Sequence, residues 1–445
     1  MKFVSTRAHS SSGKAPAVSF GQALAQGLAP DGGLYMPESW PNIPLSAFDG
    51  ANTLPEVAEV MLRPFVEGDP VASEIGAIVR DAFDFPAPLV PVADGGKLSV
   101  LELFHGPTAA FKDFGARFLA ASLARIRDEK GHGAKPLNIL VATSGDTGGA
   151  VAAAFHRRPG VIVSVLFPKG LVSPTQERQL TCWGDNVLSY RVNGTFDDCQ
   201  RLVKQAFVDP GLRERFELSS ANSINLGRLL PQAVYYAATS LAVHRAHGVT
   251  PNFLIPSGNL GNSVACVWAR RIGLPIGRIV LAHNANRAVP DFLRTGEWQP
   301  RASIPTLASA MDVGSPSNIE RLRALFPDIG AVRGAVRAES VTDEEIRARI
   351  ATDFHRFADQ YGKPWCPHTA TAAEVHARMP DSERAERWVL VSTAHPAKFR
   401  EIVEPLIGQR IEMPESLGKL FSRPVSCADL EPSLDALTGA LGNKN

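Results

Sequence analysis

The chain reads as an α/β protein: two open, parallel-rich sheets with flanking helices, preceded by a mainly helical N-terminal unit. Three observations lead there. From about residue 116, apolar runs of strand length alternate with helical segments. That pattern calls for parallel strands joined by right-handed crossovers. Two glycine-rich strand-to-helix turns, 144–150 and 257–262, interrupt the alternation. Residues 1–90 lack it and carry helical spacing broken by prolines instead.

In chain order, 18–28 predicts a short amphipathic helix with Phe20, Leu24 and Leu28 on one face. Residues 30–41 are turn-rich, and 43–80 predict helical segments broken at Pro55, Pro64 and Pro70. Residues 85–92, FPAPLVPV, predict an extended linker, because each proline biases its predecessor away from helix. A helix over 118–131, ending near Gly131, follows the lysine segment described below. Strands over 137–144, 161–168 and 186–192 then alternate with helices over 151–158, 173–184 and 197–209. The pattern resumes with a helix over 233–248, a strand over 252–258, a helix over 263–273 and a strand over 278–284. The stretch 339–360 predicts a solvated helix with acids in its first turn, and 387–399 a strand with a polar exit. Together these give 1–90 as the N-terminal unit, 91–125 with 231–445 as a large α/β domain, and 126–230 as a smaller inserted one.

Composition removes several function classes. The chain has 445 residues, 44% hydrophobic and 20% charged, as in an ordinary folded enzyme. A net charge of +1 gives no field for nucleic acid or an anionic membrane. No window supplies the roughly 18 apolar residues of a membrane span. The five cysteines are scattered, odd in number and never at CxxC spacing, which suits reduced thiols in the cytoplasm and no metal site. The N-terminus lacks the apolar core of a secretory signal. Its Arg, Ser and Lys without an acid before Asp31 leave a transit peptide open.

The chemistry centres on 101–118, LELFHGPTAAFKDFGARF. Gly106 and Pro107 mark a turn, and Thr108 suits a helix N-cap. Lys112 then falls in the first turn, with Phe111, Phe114 and Phe118 on a shared apolar face. Apolar walls and the positive end of the helix dipole both oppose an ammonium group there. Both effects favour a neutral lysine, able to attack an aldehyde. Asp113 faces elsewhere and reads as structural, and His105 as a turn-stabilising residue.

Two loops look like anion cradles. SGDTGGA (Ser144, Gly145, Asp146, Thr147 and onward) and SGNLGN (Ser257, Gly258, Asn259, Leu260, Gly261, Asn262) each lead from a strand into a helix. Such turns offer backbone N–H groups to anions. Neither is a P-loop or a dinucleotide fingerprint. One aldehyde-reactive lysine with two anion cradles is what pyridoxal 5′-phosphate and an amino-acid substrate require: one cradle for the cofactor phosphate, one for the substrate carboxylate.

These motifs, with SANSINLGRLLPQ, SAMDVGSPSN, STAHPAKF and the N-terminal VSFGQALAQGLAPDGGLYMP, resemble the threonine synthase family of the longer bacterial and fungal type. The resemblance covers nearly the whole chain. It implies fold type II of the pyridoxal-phosphate enzymes, the fold of the tryptophan synthase β-chain. It implies a carbon–oxygen lyase acting on phosphate in threonine biosynthesis, which converts O-phospho-L-homoserine and water to L-threonine and phosphate by γ-elimination and β-addition of water. Lys112 is then the Schiff-base lysine and 257–262 the cofactor-phosphate cradle. Ser144, Gly145, Asp146 and Thr147 hold the substrate carboxylate, and Thr393 faces the pyridine nitrogen. Asp146 stands where the wider fold class often has an Asn near the phenolic oxygen. Other departures are mild: Leu260 for a common Phe, Asn262 for an occasional Asp, Thr369 for an occasional Ala. Lys169, Asn222, Ser223, Asn225 and Arg228 are candidates for the substrate phosphate, with Arg suited to bidentate contact. The alternatives are a related phospho-lyase or threonine dehydratase-like lyase, which would release an oxoacid, and a catalytically dead sensor of a phosphorylated amino acid. A monomer or homodimer is expected, with no nucleic-acid or membrane partner.

Overall fold

The computed structural model describes residues 1–8, 16–128 and 135–442. Its strands are β1 (Phe3–Ser5), β2 (Tyr35–Pro37), β3 (Leu89–Ala93), β4 (Leu98–Glu102), β5 (Leu137–Ala142), β6 (Val161–Pro168), β7 (Val187–Val192), β8 (Glu217–Ser220), β9 (Asn252–Pro256), β10 (Ile279–His283), β11 (Arg337–Ser340), β12 (Trp388–Ser392) and β13 (Ala428–Leu430). A six-stranded sheet runs β11-β10-β9-β12-β4-β3, and a five-stranded sheet runs β13-β7-β6-β5-β8. All pairs are parallel except β3 with β4. A small antiparallel pair, β1 with β2, lies in the N-terminal unit.

The predicted strands and helices are present, with boundaries set by capping. Ser19 and Gln22 form a capping box that starts the helix Phe20–Gln26, and Gly27 ends it at φ 70°. Pro55 and Pro64 do not break the next helix, Leu54–Val66. Pro55 lies in the first turn, where its missing N–H has no partner to lose, and Pro64 falls two residues before the end. The 85–92 stretch is only partly a linker. Leu89–Ala93 pairs antiparallel with β4 as an edge strand, a position that accepts the exposed Pro91. The helix expected over 339–360 covers Asp343–Arg356, because Arg337–Ser340 pairs with β10 and Thr342 supplies the cap. The helix after Lys112 runs Lys112–Asp128, and its expected end near Gly131 lies outside the described residues. The C-terminal segment departs from the expected division: β13 joins β7 on the five-stranded sheet rather than staying with the large one. Among the described residues no helix is long and apolar enough to cross a membrane.

One feature of the topology positions the site. β9, β12 and β4 are adjacent and parallel, so the loops at their C-terminal ends (257–262, 393–398 and 103–111) emerge side by side. The five-stranded sheet contributes the loops after β5 and β8. The Lys112 helix rests on the N-terminal unit through Phe114 and Phe118. Their rings pack against Phe83 at 6.0 and 6.3 Å, and Phe114 also meets Phe85 at 4.6 Å and Tyr235 at 5.2 Å. Phe111 is only half-buried and does not share that face.

Candidate active site

The loop before Lys112 is stitched to the exit of β12. Leu103 N donates to Ser392 O at 3.0 Å, Phe111 N to Thr393 O at 2.8 Å, and His395 N to Ala109 O at 3.0 Å. These bonds bring Thr393 beside the lysine. Ala109 sits in the left-handed region at φ 52°, which turns the chain sharply three residues before Lys112. Thr108 is not the N-cap expected. Its backbone N–H and hydroxyl both go to the Asp113 carboxylate, at 2.9 and 2.7 Å. Asp113 thus holds the turn from inside, in the structural role expected of it, and burial pushes its carboxyl up to about 6.

Lys112 keeps some accessible surface but is crowded by protein on most sides. Its ammonium engages in no hydrogen bond or ion pair among the described residues. Phe111 lies 5.9 Å from Nζ. Desolvation pulls its pKa down to about 8; Asp146 opposes that shift, while Lys398 and Arg228 add to it. Lys112 is therefore free, and substantially neutral near pH 8.

Both cradles carry unpartnered donors. Among the described residues, the N–H groups of Gly258, Asn259, Leu260, Gly261 and Asn262 donate to no acceptor. Leu260, at φ 62°, turns them inward at the start of the helix Gly261–Arg271. Gly258 lies so close to Met311 that a Cβ would come within 2.7 Å of its Cα. Asn259 anchors the loop through Ser223 Oγ (2.5 Å) and Ser317 N (2.5 Å). Asn262 Oδ1 accepts from Tyr235 and Tyr236 at 2.5 and 2.7 Å, leaving its buried Nδ2 without a partner. The Ser257 hydroxyl donates to Ile255 O at 2.8 Å. A ring of orphan donors on glycines and small side chains fits a phosphate group.

In the other cradle, Ser144, Asp146 and Thr147 N–H groups are likewise unpartnered, and the side chains of Ser144 and Thr147 are half-open. Gly145 differs: its N–H turns inward to Thr143 Oγ1 at 3.0 Å, as does that of Gly148 at 2.9 Å. Its φ of 139° requires glycine. Thr143 was not anticipated, because its position at a strand end reads as core.

Arg228 is 2% exposed. One of its nitrogens reaches Ala221 O, its Nε has no partner, and no carboxylate bonds it. Desolvation lowers its pKa to about 10. A buried, under-paired guanidinium whose charge is felt at Lys112 suits an anion. The other phosphate candidates divide. Ser223 and Asn222 are half-buried; Asn222 Nδ2 donates to Ala142 O at 2.9 Å. Asn225 is fully committed as a structural cap, to Leu24 O (2.9 Å), Ser220 O (3.0 Å) and Gly227 N (2.9 Å). Lys169 is exposed and tied to Asp429 at 2.7 Å. Neither is available in this structure.

The least legible residue is Lys398, fully buried, with Nζ 2.7 Å from Asp146 Oδ1 and 2.9 Å from Thr108 O. Burial would raise the Asp146 pKa, but Lys398 and Lys112 hold it well below the usual carboxylate range. His368 was also missed. It is buried, pushed down to about 4 by desolvation, and accepts from Ala310 N at 3.0 Å. Behind the lysine loop, Glu102 accepts from Tyr361 OH (2.8 Å), Lys363 Nζ (2.7 Å) and His105 Nε2 (2.8 Å), which places His105 in the supporting role expected. Burial alone would raise Glu102, but these partners bring it to about 2. Its contribution to stability is therefore fully present above about pH 4.5 and lost as pH falls toward 2. Glu102→Gln should flatten the stability–pH slope in that window by up to roughly 3 kcal/mol, read from urea unfolding at pH 5 and pH 3.

Comparison with known proteins gives three family matches and several close relatives. Residues 84–394 match the family described as pyridoxal-phosphate-dependent enzyme. Residues 2–83 match the threonine synthase N terminus, and 369–440 its C-terminal region. The chain is 40% identical to a threonine synthase of Haemophilus influenzae over 424 residues, covering 93% of this chain and 94% of that one. It is 40% identical to one of Escherichia coli over 432 residues, covering 96% and 97%. Among solved structures, a pyridoxal-phosphate-bound threonine synthase from Brucella melitensis superposes with a TM-score of 0.89 at 34% identity, covering 99% and 98% of the two chains.

Proposed function

We infer the roles of individual residues from one premise: the chain belongs to the threonine synthase family of pyridoxal-phosphate-dependent lyases. The reaction is the conversion of O-phospho-L-homoserine and water to L-threonine and phosphate. The observation that carries the residue assignment is Lys112, unpaired and easily deprotonated, between two sets of orphan N–H groups.

Bound pyridoxal phosphate supplies an electron sink that makes carbon-bound protons of the substrate removable. Ser257, Gly258, Asn259, Leu260, Gly261 and Asn262 would hold its phosphate, and Lys112 would hold its aldehyde carbon. Thr393, a neutral hydroxyl, would serve the pyridine nitrogen and moderate the sink, and Asp146 would serve the phenolic oxygen. Ser144 and Thr147 take the substrate carboxylate through their hydroxyls and the free N–H groups of the turn; Gly145 contributes the backbone bend. Arg228, with Asn222 and Ser223 nearby in sequence, takes the substrate phosphate. Lys112 Nζ removes the α-proton and moves protons at Cβ and Cγ as phosphate leaves. Water adds at one step only, so closure of the 126–230 unit over the cleft excludes it from the others. We place the enzyme in the cytoplasm as a monomer or homodimer; its unpaired cysteines suit a reducing compartment.

Gly258→Ala tests the phosphate cradle. A methyl group against Met311 must displace the loop, at about 1–3 kcal/mol of overpacking. Cofactor affinity should fall roughly 10- to 100-fold, measured by fluorescence titration of the cofactor-free protein. The assignment as a whole is tested by product analysis. Equal amounts of phosphate and threonine from O-phospho-L-homoserine support it, and phosphate with an oxoacid contradicts it.

A further inference from the structure

We propose that Lys398 is a positioning residue for Lys112: its ammonium group fixes the Asp146 carboxylate beside Lys112 and offsets the pull of that carboxylate on the Lys112 proton. This rests on the reading of Lys112 given above, but its test does not.

Geometry carries it. Lys398 follows β12, on the large sheet, and Asp146 opens the helix after β5, on the smaller one. Their contact at 2.7 Å joins the exits of the two sheets. The second bond of Lys398, to Thr108 O at 2.9 Å, ties it to the loop that leads into Lys112. Gln179 Nε2 donates to the same carbonyl at 3.0 Å, and Gln176 Nε2 to the same Asp146 oxygen at 3.2 Å. The pair is therefore held from two further elements, the 103–111 loop and the helix Pro174–Thr181. A fully buried ion pair is seldom more stable than an apolar pair of the same volume, so its place here points to the group it faces.

The charged and titratable groups around Lys112 are few. Asp146 attracts its proton, while Lys398 and Arg228 repel it. His368, from the helix Pro367–Arg378, is in the same field but stays neutral at ordinary pH. Asp113, its sequence neighbour, is turned to Thr108. Without Lys398, Asp146 would act on Lys112 alone and hold it protonated. Without Asp146, two repelling cations would remain and Lys112 would deprotonate earlier. Opposed charges thus keep Lys112 between a permanent ammonium and a permanently neutral amine.

The test uses cofactor-free protein. The pH dependence of Lys112 acetylation by acetic anhydride is followed by peptide mass spectrometry in wild type, Lys398→Met, Lys398→Arg and Asp146→Asn. Lys398→Met should move the midpoint up, and Asp146→Asn down, each on the order of one pH unit. Lys398→Arg, which keeps the charge, should stay near wild type. In cofactor-loaded enzyme, the acid limb of kcat, which reports the substrate complex in which Lys112 acts as base, should move in the same directions. Unmoved midpoints in folded Lys398→Met and Asp146→Asn, checked by circular dichroism, would overturn the proposal. Should Lys398→Met not fold, Asp146→Asn decides alone: a downward shift supports the proposal and no shift overturns it. If instead Lys112→Ala kept full turnover, the assignment of Lys112 would fail while the titration stood.

Discussion

Lys112→Ala should bind substrate and cofactor weakly and turn over roughly 10²- to 10⁴-fold more slowly than wild type, the scale of losing a general acid–base group. The expectation follows from its surroundings. Among the described residues, Lys112 is the one lysine brought to the junction of the three central strand ends without a partner; Lys398, in the same cluster, is locked to Asp146 and Thr108. No neighbour can take over. His368 is neutral but already accepts from Ala310 N, and Asp146 is committed to Lys398. The protein should fold normally, because the Lys112 ammonium forms no bond that the fold depends on. The measurement is phosphate and threonine release from O-phospho-L-homoserine, beside a thermal melt. Turnover within tenfold of wild type would move the base elsewhere.

Arg228→Met should show activity and stability moving apart. The guanidinium is buried with only the Ala221 carbonyl and the field of Asp113 to offset its desolvation. Met fills a similar volume without a charge to bury, so the melting temperature of the ligand-free protein should hold or rise. A hydrogen bond from a charged group to a phosphate is worth about 1.5–3 kcal/mol. Loss of it should lower kcat/KM for O-phospho-L-homoserine by roughly 10- to 150-fold. An unchanged kcat/KM with a lower melting temperature would make Arg228 a structural residue.

Much of the frame was legible because it depends on local pattern. The buried strands β5, β6, β9, β10 and β12 are apolar runs bounded by turn residues, and each survives in the structure. β3 was hidden by its prolines, and β8 and β13 by length and polarity; ELSS and ADL become strands only because a neighbour offers an unpaired edge. In the site, Lys112 and the two glycine turns could be found because backbone demands mark them. Side-chain commitments could not. Nothing local separates Asn225, wholly used in capping, from Asn222 three residues earlier, or shows that Lys169 meets Asp429 across 260 positions. Lys398 is the extreme case: a lysine after a strand reads as solvated, and only the approach of the turn after β5, on one sheet, to the turn after β12, on the other, buries it against Asp146.

The central claim is that Lys112 carries the cofactor. Borohydride reduction of cofactor-loaded protein, followed by peptide mass spectrometry, locates the attachment directly. The account predicts one modified lysine per chain, Lys112. Modification at Lys398 instead, or at no lysine in a protein that has bound the cofactor, would contradict it.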